Sequence, residues 1–182
     1  MKLRFISNNK FKIEEVKTFF SNTGVEIIPV SLKIEELQTE DVKRLVKDKL
    51  LKAFKTVGKP TFVEHTGLYI DSLNNLPGGL TQIIWDKLGP IKFANLANQT
   101  ANNCVFAITT LAYCDGFNVH LFEGKISGNI LPEPRGCMDF QWDCIFVPEG
   151  YSETFAEMGQ KKNEISMRKI AIDQFKMHIL NH

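Results

Sequence analysis

Long uncharged runs are scarce in this 182-residue chain, cysteines are few, and neither sign of charge is in excess. The longest stretch without a charge, Phe93 to Cys114, carries four Asn, one Gln and three Thr. That is too polar to cross a bilayer. The opening MKLRFISNNK alternates charged with apolar residues and lacks an apolar segment of its own, so no signal peptide is expected. Twenty-two basic against 21 acidic residues leave a net charge of +1, without the electrostatic footprint of a nucleic-acid or acidic-membrane binder. The four cysteines (Cys104, Cys114, Cys137, Cys144) form no C-x-x-C pair and have no His at zinc-finger spacing. This predicts reduced thiols in a cytoplasmic protein. Repeats and low-complexity tracts are missing too. What is present, 43% apolar and 24% charged residues, suits one globular domain spanning 1–182.

Lys2 to Ser7 alternates polar and apolar residues, as a half-buried strand does, and runs into Asn8-Asn9, good helix N-cap types. Ile13, Val16, Phe19 and Phe20 then make one helical stripe, and Val25 to Val30 reads as a second strand, which predicts a parallel pair. Asp41 to Thr56 is a helix stopped by Gly58 and Pro60. Thr61 to Val63 reads as a short strand before a turn-rich stretch, Glu64 to Gly79. Two short helices follow, Leu80 to Leu88 and Ile91 to Asn98, split by Gly89-Pro90. Cys104 to Tyr113 and Asn118 to Ile126 form a hairpin signal across Cys-Asp-Gly. Phe140 to Val147 reads as another strand and Ile165 to Leu180 as a closing helix. The expected class is α/β with a mixed sheet.

Four stretches could carry chemistry. Ser7 to Lys12 places backbone amides and lysines at a strand-to-helix junction, a common phosphate site, although taken alone the stretch is better explained as an N-cap with solvated lysines. Val63 to Leu68 sets a carboxylate and an imidazole past an apolar strand, where α/β proteins gather ligands; a plain polar turn is the alternative. Phe140 and Trp142, two apart on a strand, would share a face that stacks on a planar base beside Asp143, or would simply be core. Lys161 to Arg168 adds cations, or only a solvated helix start. Together they suit a nucleoside triphosphate.

In order and spacing these stretches resemble the inosine triphosphate pyrophosphatase family. The matching residues are Ser7, Asn9 and Lys12; VEHTGLYIDSLNNLPGG from Val63; WDKLGP from Trp85; LFEGKISGNI from Leu121; RGCMDFQWDCIFVPEGY from Arg135; TFAEM from Thr154; and KKNEIS with Arg168. The resemblance implies an elongated mixed β-sheet flanked by helices, with a deep central cleft and a homodimeric state. It implies Mg²⁺-dependent attack of water on the α-phosphorus of ITP, dITP or XTP, releasing the monophosphate and pyrophosphate. By position, Ser7, Asn9, Lys12 and Lys162 would serve the phosphates. Phe140, Trp142, Asp143, Ser166 and Arg168 would serve the base. Glu36 and Glu64 would hold the metal, with Glu64 and His65 at the catalytic positions.

The departures from the family pattern fall on that chemistry. His65 stands where the family carries the second carboxylate of an acidic pair, Met167 interrupts its Ser-His-Arg, and Leu80 and Gln82 replace an aromatic and a basic residue. Mg²⁺ prefers oxygen donors and imidazole suits softer metals, so a weakened metal site is expected. The expectation is a hydrolysis-impaired nucleotide-binding or sensor subunit acting with an effector protein. An active pyrophosphatase with Glu64 or His65 as base is the alternative, and a scaffold without nucleotide affinity is a third class.

Overall fold

The computed structural model describes residues 1–99, 102 and 104–181; residues 100, 101, 103 and 182, the last being the end of the expected domain, lie outside the described residues. The elements are β1 (Lys2–Ile6), α1 (Lys10–Phe20), β2 (Glu26–Val30), α2 (Val42–Val57), β3 (Thr61–Ile70), β4 (Leu76–Pro77), α3 (Thr81–Ala97), β5 (Cys104–Cys114), β6 (Val119–Ile130), β7 (Phe146–Pro148), α4 (Phe155–Met158), α5 (Lys162–Ile165) and α6 (Met167–Leu180). The strands make one mixed sheet in the order β2-β1-β3-β5-β6-β7, with β4 paired to β3. β1 runs parallel to both β2 and β3, with Phe5 opposite Phe62, while β3–β4 and β6–β7 are antiparallel. The α/β class and the opening parallel pair follow the sequence reading.

The chain divides into two compact units. The first comprises Met1–His65, Thr109–Gly124 and Lys169–His182. Its core gathers Leu3 and Phe5 of β1, Val16, Phe19 and Phe20 of α1, Phe62, Leu111, Tyr113, Ile172 and Phe175. The Phe5 and Phe62 rings stack at 4.7 Å and Phe175 packs on Phe62 at 5.1 Å. Each such buried ring contributes roughly 1.5–3 kcal/mol of transfer free energy. Helix α2 starts on the Asp41 side chain, which accepts from the Arg44 amide, and stops at left-handed Gly58.

The second unit comprises Thr66–Ile108 and Lys125–Arg168. Its core holds Leu68, Ile70, Trp85, Phe93, Val105, Ile130, Trp142, Cys144, Phe146, Phe155, Met158 and Met167. The Thr81 hydroxyl accepts from the Leu68 amide and donates to the Gly78 carbonyl, tying β3 to the start of α3. A Cβ at Gly67 would collide with the Gly78 carbonyl, so this close approach needs glycine. The two expected short helices are joined as α3 but kink at Gly89, whose φ of +68 and ψ of 177 are non-helical.

Three expectations need correction. The strand expected over Thr61–Val63 continues to Ile70, because Thr61–His65, Gly67, Leu68 and Ile70 are all buried and tertiary packing overrides the turn-like composition of Glu64 to Gly67. The strand expected over Phe140–Val147 is instead a 3-10 turn, Gln141–Cys144, followed by β7. Gln141 adopts φ +48, which breaks an extended chain, and the Asp143 and Ile145 amides close the turn on the Phe140 and Trp142 carbonyls. The closing helix begins at Met167 rather than Ile165, because Ser166 is extended (ψ 153) and ends α5.

Candidate functional site

The sequence-predicted residues fall into two clusters, one in each unit. In the first, the Ser7 hydroxyl accepts from the Asn9 amide at 3.2 Å, and Asn9, the N-cap of α1, accepts from the Lys12 amide through Oδ1 at 3.2 Å. This capping fixes the first turn and directs Lys12, whose Nζ lies 2.6 Å from Glu64 Oε1. Glu64 is 3% exposed, so its charge is compensated by that lysine. Lys49 of α2 pairs with Glu36 Oε1 at 2.6 Å and donates to the Glu64 carbonyl at 3.4 Å. His65 Nδ1 lies 3.8 Å from Glu36 Oε2, too long for a hydrogen bond. Ser7, Asn9, Lys12, Glu36, Glu64 and His65 therefore belong to one neighbourhood, with Lys49 added.

The electrostatics of this cluster are unusual. His65 is 7% exposed. Burial first, then the Lys12 ammonium, push its imidazole down to about 4 against the partial opposition of Glu36 and Glu64. It is neutral at pH 7, and its buried Nε2 has no hydrogen-bond partner. Burial pushes the Glu36 carboxyl up, but Lys49, by charge and hydrogen bond, with His65 and Lys12, holds it below the ordinary range. The Lys12–Glu64 pair is largely buried and the Lys49–Glu36 pair half-buried; desolvation offsets much of the attraction in such pairs, so they contribute little net stability.

The donor set fits a divalent cation. Two carboxylates supply hard oxygens, and one unpartnered imidazole nitrogen adds a softer donor. Among the described residues no three His, Cys, Asp or Glu side chains gather closely enough to hold a metal alone.

The second cluster is built by the 3-10 turn and the segment around α5. Lys162 Nζ lies 2.5 Å from Asp143 Oδ2, both groups being nearly sealed from solvent. The same ammonium sits 4.1 Å from the Phe140 ring centroid and 5.4 Å from Phe155. The Arg168 guanidinium, 2% exposed, lies 5.8 Å from the Phe140 centroid and donates to Thr66 Oγ1 at 3.4 Å. Ser166 is fully buried just before Arg168. Lys162, expected to serve the phosphates, lies beside Asp143 and Phe140 within the second unit. Trp142, expected beside the base, is a core residue. With no strand to put it on the face of Phe140, it packs edge-on against Phe146 at 5.6 Å, inside the core, with an unpartnered buried Nε1. Met167, at the position of a family polar residue, is core as well.

Sequence reasoning passed over Lys49 and Thr66. Lys49 falls on the α2 stripe of Leu45, Val46, Leu50 and Ala53, and a lysine on a core-facing stripe is itself a signal. Thr66 becomes visible only once β3 is known to run past it.

The sequence profile of the Ham1 family matches residues 3–178. The chain is 32% identical over 176 residues to a dITP/XTP pyrophosphatase of Thermococcus kodakarensis, covering 96% of this chain and 95% of the relative. It is 36% identical over 183 residues to an inosine triphosphate pyrophosphatase of Yarrowia lipolytica, covering 98% and 96%. A HAM1 protein of Coxiella burnetii, solved experimentally, superposes with a TM-score of 0.85 at 23% identity, each chain being wholly covered, and shares the fold. A profile match over nearly the whole length, joined to relatives above 30% identity, makes this chain a member of the Ham1 family.

Proposed function

We propose that this protein recognises noncanonical purine nucleoside triphosphates, dITP, ITP or XTP, and that His65 limits their hydrolysis. The names of its relatives support the ligand class. The second cluster supplies the base selectivity. Hypoxanthine offers an O6 acceptor and an N1–H donor, to which the donors Arg168 and Lys162 and the acceptor Asp143 are complementary. Adenine presents an amine and a bare N1, leaving buried groups unpaired at about 1–3 kcal/mol each. Phe140, half-buried beside both cations, supplies a stacking face.

In the first cluster, Lys12 and the α1 start would neutralise phosphate charge. Glu36 and Glu64 would hold Mg²⁺, which when bound supplies charge neutralisation to the triphosphate. Hydrolysis requires a base to take a proton from the water that attacks the α-phosphorus while the bond to the pyrophosphate oxygen breaks. A neutral imidazole that resists protonation in its buried setting is a poor acceptor and adds no negative charge. The single observation carrying this reading is His65: buried, neutral and unpartnered at Nε2 between two carboxylate–lysine pairs.

Pyrophosphate release and binding of dITP, with Mg²⁺ and with Mn²⁺, test it. Binding with slow release, and at least about tenfold faster release in His65→Asp, supports the proposal. Rapid release by the wild type replaces it with the second reading, a working pyrophosphatase, which the enzymatic names of the relatives favour. The homodimer and the effector partner remain part of the proposal, and light scattering with and without dITP tests the former.

A further inference from the structure

Gln141 holds a left-handed backbone, φ +48, although it carries a Cβ. Such a conformation persists in a non-glycine residue where its surroundings over-determine it. The side chain shows what does so. Gln141 Nε2 donates to Gln82 Oε1, and Gln82 Nε2 donates to Asp86 Oδ1 at 2.8 Å. Gln82 and Asp86 stand one turn apart at the start of α3, all three residues belonging to the second unit. The Asp86 carboxylate accepts only, so it draws the Gln82 amide nitrogen to itself and leaves the Gln82 oxygen for Gln141. The direction of the relay is thereby fixed.

The turn that Gln141 opens has two unlike ends. Trp142, Cys144 and Ile145 are core residues and are held by packing. Phe140 and Gln141 are half-buried at the outer end, where packing is thinner. Phe140 carries the ring beside Lys162 and Arg168, and the Asp143 amide closes on the Phe140 carbonyl at 3.2 Å. A change in the Gln141 backbone therefore moves Phe140 directly.

We propose that Asp86, Gln82 and Gln141 are positioning residues: their relay holds the left-handed turn and sets the Phe140 ring and the Asp143 carboxylate to receive the base. This rests on the nucleotide reading above. Glycine at 141 would keep the backbone angle without help, so the relay is dispensable in that background.

The test is a double-mutant cycle of Gln82→Ala and Gln141→Gly, with Asp86→Ala as a further variant, read by dITP and tripolyphosphate titration and by thermal unfolding. Gln82→Ala and Asp86→Ala are expected to weaken dITP binding about threefold to tenfold, the range of one net hydrogen bond. Tripolyphosphate affinity is expected to stay unchanged, because a base-positioning defect leaves the Lys12 cluster intact. In the Gln141→Gly background, Gln82→Ala is expected to leave dITP affinity unchanged and to lower the melting temperature less than it does with Gln141 in place, since only the Gln82–Asp86 bond is then lost. Wild-type dITP affinity in Gln82→Ala, equal loss of tripolyphosphate affinity, or the same Gln82→Ala effect in both backgrounds overturns the proposal. A wild-type protein that binds no dITP overturns the nucleotide reading instead, and the melting-temperature cycle then still decides whether the relay holds the turn.

Discussion

Replacing His65 with glutamine removes one titrating group from a buried cluster, and the consequence for acid stability can be worked out. The imidazole has an ordinary value near 6.5 when unfolded and about 4 when folded, chiefly through burial and secondly through Lys12. Between these values the unfolded chain holds a proton that the folded chain refuses. The unfolded state binds more protons there, so stability rises with pH through this window and is level above it. At ~1.4 kcal/mol per pH unit the wild type loses about 3 kcal/mol by pH 4, and about 2 kcal/mol of that is gone by pH 5. His65→Gln escapes this loss, so the stability of wild type relative to variant falls on acidification by that amount. At ~2–4 °C per kcal/mol for a chain of this size, the relative melting temperature shifts by about 4–8 °C between pH 7.5 and 5. Thermal unfolding of both proteins across this range measures it, and subtraction cancels the carboxylates that do not interact with His65, leaving those that do, Glu36 among them, coupled to the change. Parallel curves would refute the reasoning, since His65 would then keep an ordinary value and could not lie buried beside Lys12.

Other substitutions probe the remaining parts. Trp142→Ala is expected to cost about 3–5 kcal/mol of stability in denaturant unfolding, as a core ring does, rather than to act first on nucleotide affinity. Lys12→Met removes the ammonium 2.6 Å from the buried Glu64 carboxylate and is expected to destabilise by about 3–5 kcal/mol, a loss that shrinks in Lys12→Met/Glu64→Gln because the buried carboxylate is then neutral. Arg168→Lys keeps the charge but loses the planar fork; nucleotide titration is expected to show dITP weakened about tenfold and dATP hardly changed.

The legible parts of the sequence were those governed by local pattern. The α1 stripe, the Asn9 cap, the α2 stop at Gly58 and the Gly89 kink each arise from residues adjacent in the chain. The unreadable parts depended on distant packing. Glu64 to Gly67 look like a turn, yet lie in β3 because partners on the sheet and the close approach of Gly78 bury them. The strand expected at Phe140 fails because Gln141 takes a rare backbone angle, its side chain bonded to Gln82, 59 positions earlier. The shared face of Phe140 and Trp142 failed with it. Charge pairs such as Glu36 with Lys49 join segments with no common periodicity, and only the coordinates disclose them.

Recognition of a deaminated base by Asp143, Lys162 and Arg168 is the centre of the account. Calorimetric titration of the wild-type protein with dITP and with dATP under identical Mg²⁺ addresses it most directly. With two buried groups left unpaired by adenine, dITP should bind at least about thirtyfold more tightly. Equal affinity for the two nucleotides, or none for dITP, contradicts it.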